Sequence, residues 1–147
     1  MTIRTLTIEE LDQAGKLVAE LYKEGGLPAQ CVPDVFRATW TSVMTLGTGA
    51  ILGMFVDNAL VGVFGAVRYL DPSDGVLTAS EFFWYVSKES RGKGGKELLK
   101  QFEKWATDAG AKRLIVAHLA DVGADRLSTL YDKMGYKAIE THYIRGV

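Results

Sequence analysis

Arg91-Gly92-Lys93-Gly94-Gly95-Lys96 is the stretch of this chain best suited to hold an anion. Closely spaced glycines let a backbone approach a ligand and turn several N–H groups toward one point. The turn lies between the apolar run FFWYV and an amphipathic stretch that begins at Gly95. It therefore delivers those N–H groups at a helix N-terminus, whose partial positive charge favours an anion by about 0.3–1 kcal/mol. Arg91, Lys93 and Lys96 add cationic side chains, and Lys88 adds a fourth. A phosphate or pyrophosphate is the matching ligand. The alternative is a plain glycine turn with solvated lysines.

Two familiar phosphate loops do not fit. A Walker loop ends in Gly-Lys-Ser/Thr, but here Gly95-Lys96 is followed by Glu97, and Ser90 stands where its first glycine is needed. In a dinucleotide fingerprint Gly92 and Gly94 match, but Glu97 fills the third glycine position. Other reactive residues are sparse. The single cysteine, Cys31, has no disulfide partner, no base in its own loop and no Cys/His cluster around it, so neither a metal site nor a covalent acyl-enzyme is expected. His118 ends an apolar run at a position favoured for sites in mixed sheets; His142 lies near the C-terminus and reads as structural.

The elements that would position this turn follow from the hydrophobic period. Residues 3–8 alternate as a short strand. Thr7 and Glu10 form a capping-box pattern before a helix carrying Leu11, Ala14, Leu17, Val18, Leu21 and Tyr22, which ends at Gly25-Gly26. GGLPAQCVP reads as a loop, and Asp34 as the cap of a second helix with Val35, Phe36, Trp40, Val43, Met44 and Leu46. AILGMFV and ALVGVFGAVRYL are strands joined by a hairpin at Asp57-Asn58, and VLTASEFFWYV follows the turn DPSDG. Leu98, Leu99, Phe102, Trp105, Ala106 and Ala109 stripe a helix stopped by Gly110. RLIVAHL is a strand, Leu127 to Met134 a last helix stopped by Gly135, and YKAIETHYI a closing strand. Three antiparallel strands followed by a βαβ crossover give an α+β, mixed α/β, layered domain with both sheet faces covered.

The bulk properties suit one soluble domain over residues 1–147: 48% hydrophobic, 24% charged, net charge -1. Such a chain buries roughly two thirds of its unfolded surface and needs no disulfide or metal staple. The balanced charge gives no reason to expect a nucleic-acid partner, and no apolar run is long enough for a membrane span or signal core. A cytoplasmic location is the default expectation.

RGKGG, from Arg91 to Gly95, resembles the pyrophosphate loop Gln/Arg-x-x-Gly-x-Gly/Ala of the GNAT acetyltransferase superfamily. Lys96 departs from it, standing where that family usually has Gly or Ala. A second likeness lies in LSTLYDKMGYKAIE, whose Leu130, Tyr131, Gly135 and Tyr136 resemble the family's Leu-Tyr-x-x-x-Gly-Phe/Tyr motif; the Asn that often precedes it is replaced by Gly123 to Asp125. The overall cast is similar to small bacteriophage and bacterial members. The resemblance implies a mostly antiparallel twisted sheet of six to seven strands with about four helices on both faces. It implies acetyl-CoA as cosubstrate, held by Trp84, Tyr85, Val86, Arg91, Gly92, Lys93, Gly94, Gly95 and Lys96, and a primary amine as acceptor. The strand from Phe83 to Val86 would turn free N–H groups to the thioester oxygen, where charge develops during transfer. Tyr131 would sit near the sulfur of CoA and, with a phenol pKa near 10, could protonate the departing thiolate. Glu81, acting through water, is the best candidate base for the amine. With no base near Cys31 to support a covalent intermediate, direct transfer in a ternary complex is expected, and a homodimer is compatible with the reading. The alternative function is a non-catalytic GNAT-like binding or virion-associated module with a degenerate CoA site.

Overall fold

The computed structural model describes residues 1–92, 94–120 and 122–147. The alternating N-terminal residues form β1 (Thr2–Thr5), and the Thr7 N–H donates to Glu10 Oε2 at 2.9 Å across a short 3-10 turn, as the capping pattern requires. Then come α1 (Leu11–Glu24), α2 (Pro33–Thr45), β2 (Gly49–Val56), β3 (Ala59–Leu70), β4 (Leu77–Val86), α3 (Gly95–Asp108), β5 (Arg113–Ile115) and α4 (Ala124–Lys133). The β2–β3 hairpin turns on Asp57 and Asn58, both at positive φ (49° and 63°), the conformation a two-residue hairpin with the native twist demands.

The sheet runs β1-β2-β3-β4-β5, antiparallel except for the parallel pair β4–β5, which α3 connects by a crossover. Each face has its own core. Leu11, Ala14, Val18 and Leu21 of α1 and Trp40 of α2 bury against Ile51, Val63, Phe83 and Tyr85. On the opposite face Leu98, Leu99, Phe102 and Ala106 of α3 and Tyr131 of α4 bury against Met54, Phe64 and Ala79, with Phe64 and Phe102 stacked at 4.7 Å. Each fully buried Leu or Phe contributes about 1.5–3 kcal/mol, so the two helical layers clamp the sheet between them.

The fold class is as expected, but three details differ. The described sheet has five strands, not six to seven. YKAIETHYI forms no strand: residues 137–147 are exposed and carry no regular structure. And α2 starts at Pro33, whose fixed φ suits the first helical position. Val32 stands at the cap, so Asp34 lies inside the first turn and is not the cap.

Candidate active site

The site is a place where two strands part. β4 and β5 pair only through Thr78–Arg113, Ala79–Leu114 and Ser80–Ile115; beyond Ser80 and Ile115 they separate. On its other edge β4 carries a bulge. Ala66 faces Glu81 and Gly65 faces Phe83, so Phe82 has no cross-strand partner. A bulge bends its strand and re-aims the side chains after it. Here it sets Phe83 and Tyr85 into the α1/α2 core, while Trp84 packs in the α3/α4 core. Gly65 makes this possible, since any Cβ there would collide with the Phe83 ring.

The direction of the backbone follows from one bond. Ser87 N–H donates to Val61 O in β3 at 2.8 Å. Alternation along β4 then points the N–H groups of Trp84 and Val86 away from β3, into the gap left by β5. The Val86 carbonyl, on the same edge, accepts from Arg91 Nε at 3.0 Å.

A cleft of about 310 Å³ passes through this gap. Leu21, Tyr22, Leu27 and Leu119 wall it on the α1/α2 face, and Arg126 and Leu127 of α4 on the other; Glu81 to Val86 run through its middle. Arg91, Gly92 and Gly95 line one side. The first turn of α3 has no side-chain cap among the described residues, which leaves its leading N–H groups available to a ligand. Gly92, at φ 84°, holds a conformation that other residues adopt at a cost. Gly94 has a different reason for lacking a side chain: its Cβ would point at the sulfurs of Met1 and Met54. Lys96 is exposed on the first turn of α3. Lys93 lies outside the described residues.

Glu81 sits at the apex where the strands part. Its Oε2 accepts from the Ala117 N–H at 3.0 Å. Burial drives its pKa up to about 8, and the single bond from Ala117 only partly opposes this. The other side of the same residue is held by Tyr131, whose hydroxyl donates to the Ala117 carbonyl at 2.6 Å. Tyr131 is thus brought to the site, but as a buried residue behind the cleft wall with its hydroxyl engaged. Burial, and then the nearby Glu81 charge, raise its pKa above the ordinary phenol value, so it remains protonated. His118 lines the cleft; its Nε2 lies 3.2 Å from Ser128 Oγ and its Nδ1 3.3 Å from Leu119 O. His142 is remote, pairing with Glu140 at 3.0 Å on the exposed C-terminal segment. Cys31 is a free thiol whose pKa burial raises, the opposite of an activated nucleophile.

Glu24, at the end of α1, had no signal in the sequence. It accepts from the Tyr85 hydroxyl at 2.7 Å and from Arg91 Nη2 at 2.6 Å, with Lys88 at 3.8 Å. Burial opposes its ionisation, but the bonds from Arg91 and Tyr85 outweigh this and hold the carboxyl below its ordinary value. Tyr85, buried and facing this carboxylate, is pushed up to about 12. The Arg91 guanidinium is therefore not a free cation over the turn. It ties the turn to α1, and its backbone leads into Gly92. Phe82, Leu27, Leu119 and Arg126 are further cleft residues that only the fold brings together.

Among the described residues no group of three His, Cys, Asp or Glu could hold a metal ion, and no helix is long and apolar enough to cross a membrane. No curated protein matches the chain in sequence. Its fold superposes on ribosomal-protein-alanine N-acetyltransferase from Brucella melitensis biovar Abortus 2308 with a TM-score of 0.74, at 20% identity over 99% of this chain and 98% of that one. It superposes on an acetyltransferase of Trypanosoma brucei at 0.76, with 16% identity over 99% of each chain. A third match is the aminoglycoside acetyltransferase HMB0005 from an uncultured soil metagenomic sample, at 0.77, with 15% identity over 99% of this chain and 97% of that one. At these identities the likeness is one of fold. The model of the acetyltransferase (GNAT) family matches residues 18–136, well over half of the chain, and with the parted strands and the glycine turn already in place the conclusion is plain: this chain belongs to the GNAT acetyltransferase family.

Proposed function

We propose that the protein transfers an acetyl group from acetyl-CoA to a primary amine by direct attack within a ternary complex. The observation that carries this reading is the gap beyond Ser80 and Ile115, with a carboxyl at its apex and a glycine turn beside it. The turn and the uncapped start of α3 suit the pyrophosphate. The thioester lies in the gap, where the N–H groups of Trp84 and Val86 stabilise the charge that develops on its oxygen. The amine nitrogen attacks the carbonyl carbon, a C–N bond forms, the C–S bond breaks, and CoA leaves as the thiolate, to which the proton removed from the nitrogen returns through water. Glu81, with a pKa of about 8, takes the amine proton directly or through water; a base poised near the working pH is the effective kind. Tyr131, which keeps its own proton, donates a hydrogen bond to the departing sulfur once it releases the Ala117 carbonyl. Nothing in this chemistry needs a metal.

Two assays test the reading: calorimetric titration with acetyl-CoA, and thiol release against a panel of primary amines. Binding together with amine-dependent thiol release supports it. Binding with no thiol release on any amine favours a second reading, a CoA-binding module without catalysis. The engagement of the Tyr131 hydroxyl by Ala117 is the observation that speaks for this second reading.

A further inference from the structure

The α1/α2 side of the cleft has a composition that selects among amines. Leu21, Tyr22, Leu27 and Leu119 wall it, and Phe82 stands beside the apex. Phe82 is the bulge residue, and its ring is 65% exposed. A large aromatic ring is ordinarily buried, and this chain buries Phe64, Phe83 and Phe102 almost completely. Phe82 is nevertheless held, because Trp40 of α2 meets it edge-on with ring centroids 6.3 Å apart and an interplanar angle of 86°. The result is a supported aromatic face left open on the α1/α2 side of the cleft, one residue along the strand from Glu81.

The charges around it point the same way. Among the described residues lining the cleft, Glu81 is the one carboxylate, and with a pKa of about 8 it is mostly neutral at pH 7. Glu24, close by, is already paired with Arg91, Tyr85 and Lys88. The other charged lining residues are the cations Arg91 and Arg126. A polycation entering here would meet no free carboxylate to compensate its desolvation.

We infer that the acceptor is a primary amine borne on a flat apolar or aromatic body, and that Phe82 is the residue against which this body stacks. The inference rests on the acetyl-transfer reading and names its substrate class. The amine would reach the thioester while the ring occupies the face opened by the bulge. Phe82 then determines specificity and takes no part in bond making.

The test is a comparison of kcat/KM for thiol release with 2-phenylethylamine and tryptamine against spermidine and kanamycin, in the unaltered protein and in Phe82→Ala and Phe82→Leu. The aryl amines are expected to be preferred. Phe82→Ala should raise their KM about tenfold, the scale of one lost ring contact, and Phe82→Leu less, with acetyl-CoA affinity unchanged in both. Preference for spermidine or kanamycin, or an unaltered KM for aryl amines in Phe82→Ala, overturns the substrate class while leaving acetyl transfer intact. Acetyl-CoA binding with no thiol release on these four but release on another primary amine overturns the substrate class alone, and no release on any amine of the wider panel overturns the acetyl-transfer reading and this inference with it.

Discussion

If Glu81 is the base, the dependence of its contribution on pH follows from where it is buried. Its carboxyl is raised to about 8 because the protein packed around the apex between β4 and β5 shields it from much of the surrounding water and supplies one compensating N–H, that of Ala117. Only the ionised form accepts a proton. A group of that pKa is about one tenth ionised at pH 7 and about nine tenths at pH 9. The acceptor amine also deprotonates over this range, so a raw pH profile mixes two titrations. The ratio of kcat/KM between the unaltered protein and Glu81→Gln removes the shared contribution, because glutamine keeps the bond from Ala117 but cannot take a proton. That ratio should be of the order of tenfold at pH 7 and 10²-fold at pH 9, the lower end of what general-base catalysis supplies. The assay is initial-rate thiol release at subsaturating amine and saturating acetyl-CoA. A ratio that is large but flat between pH 7 and 9 would mean an ordinary carboxylate pKa and refute the burial argument; a ratio near one would remove Glu81 from the chemistry.

The same burial has a cost in stability. A carboxyl that is neutral when folded and ionised when unfolded makes the unfolded state bind fewer protons between about pH 4.5 and 8, so the protein loses stability as pH rises through that window. Glu81→Gln should therefore melt higher than the unaltered protein at pH 9 and no higher at pH 4, as read by thermal denaturation. Tyr131→Phe, which deletes the bond to the Ala117 carbonyl, should lower kcat with little change in acetyl-CoA affinity by calorimetry; full turnover would free Tyr131 of any chemical role. Glu24→Ala leaves the Tyr85 hydroxyl and the Arg91 guanidinium without their shared acceptor and should cost about 1–3 kcal/mol in urea unfolding, and an unchanged midpoint would show that the cluster contributes nothing. Asn58→Gly relieves a positive φ in the β2–β3 turn and should raise the urea midpoint slightly; a loss would mean that the Asn side chain matters there.

The parts of this architecture that were legible in the sequence are those fixed by local patterns. The stripe Leu98, Leu99, Phe102 and Ala106 announces α3 and its buried face, and Asp57-Asn58 announces a turn that needs two positive φ angles. The glycine turn between FFWYV and α3 could be placed because it depends only on its neighbours in the chain. What could not be read depends on contacts across the fold. LTASEFFWYV is apolar at most positions, so alternation cannot reveal that Phe82 is an extra residue or that Phe83 and Tyr85 share a face opposite to Trp84. Glu24 looks like any solvated helix-end carboxylate until the fold brings Tyr85 and Arg91 to it from far along the chain. RLIVAHL has strand character throughout, yet only Arg113–Ile115 pairs, because its partner bends away. The motif singles out Tyr131, but the engagement of its hydroxyl by the Ala117 carbonyl leaves no trace in a motif.

The extra residue in β4 has a consequence for how this protein can change. Since Glu81 lies opposite Ala66, and Phe83 opposite Gly65, excising position 82 would leave a regular ladder in which every following side chain keeps its side of the sheet. Both hydrophobic layers, the hairpins and the glycine turn would survive the loss of that single codon, while the kink and the open ring would vanish. The kink at Phe82 is thus an increment in chain length rather than a choice of side chain, and the strands on either side of it do not depend on it.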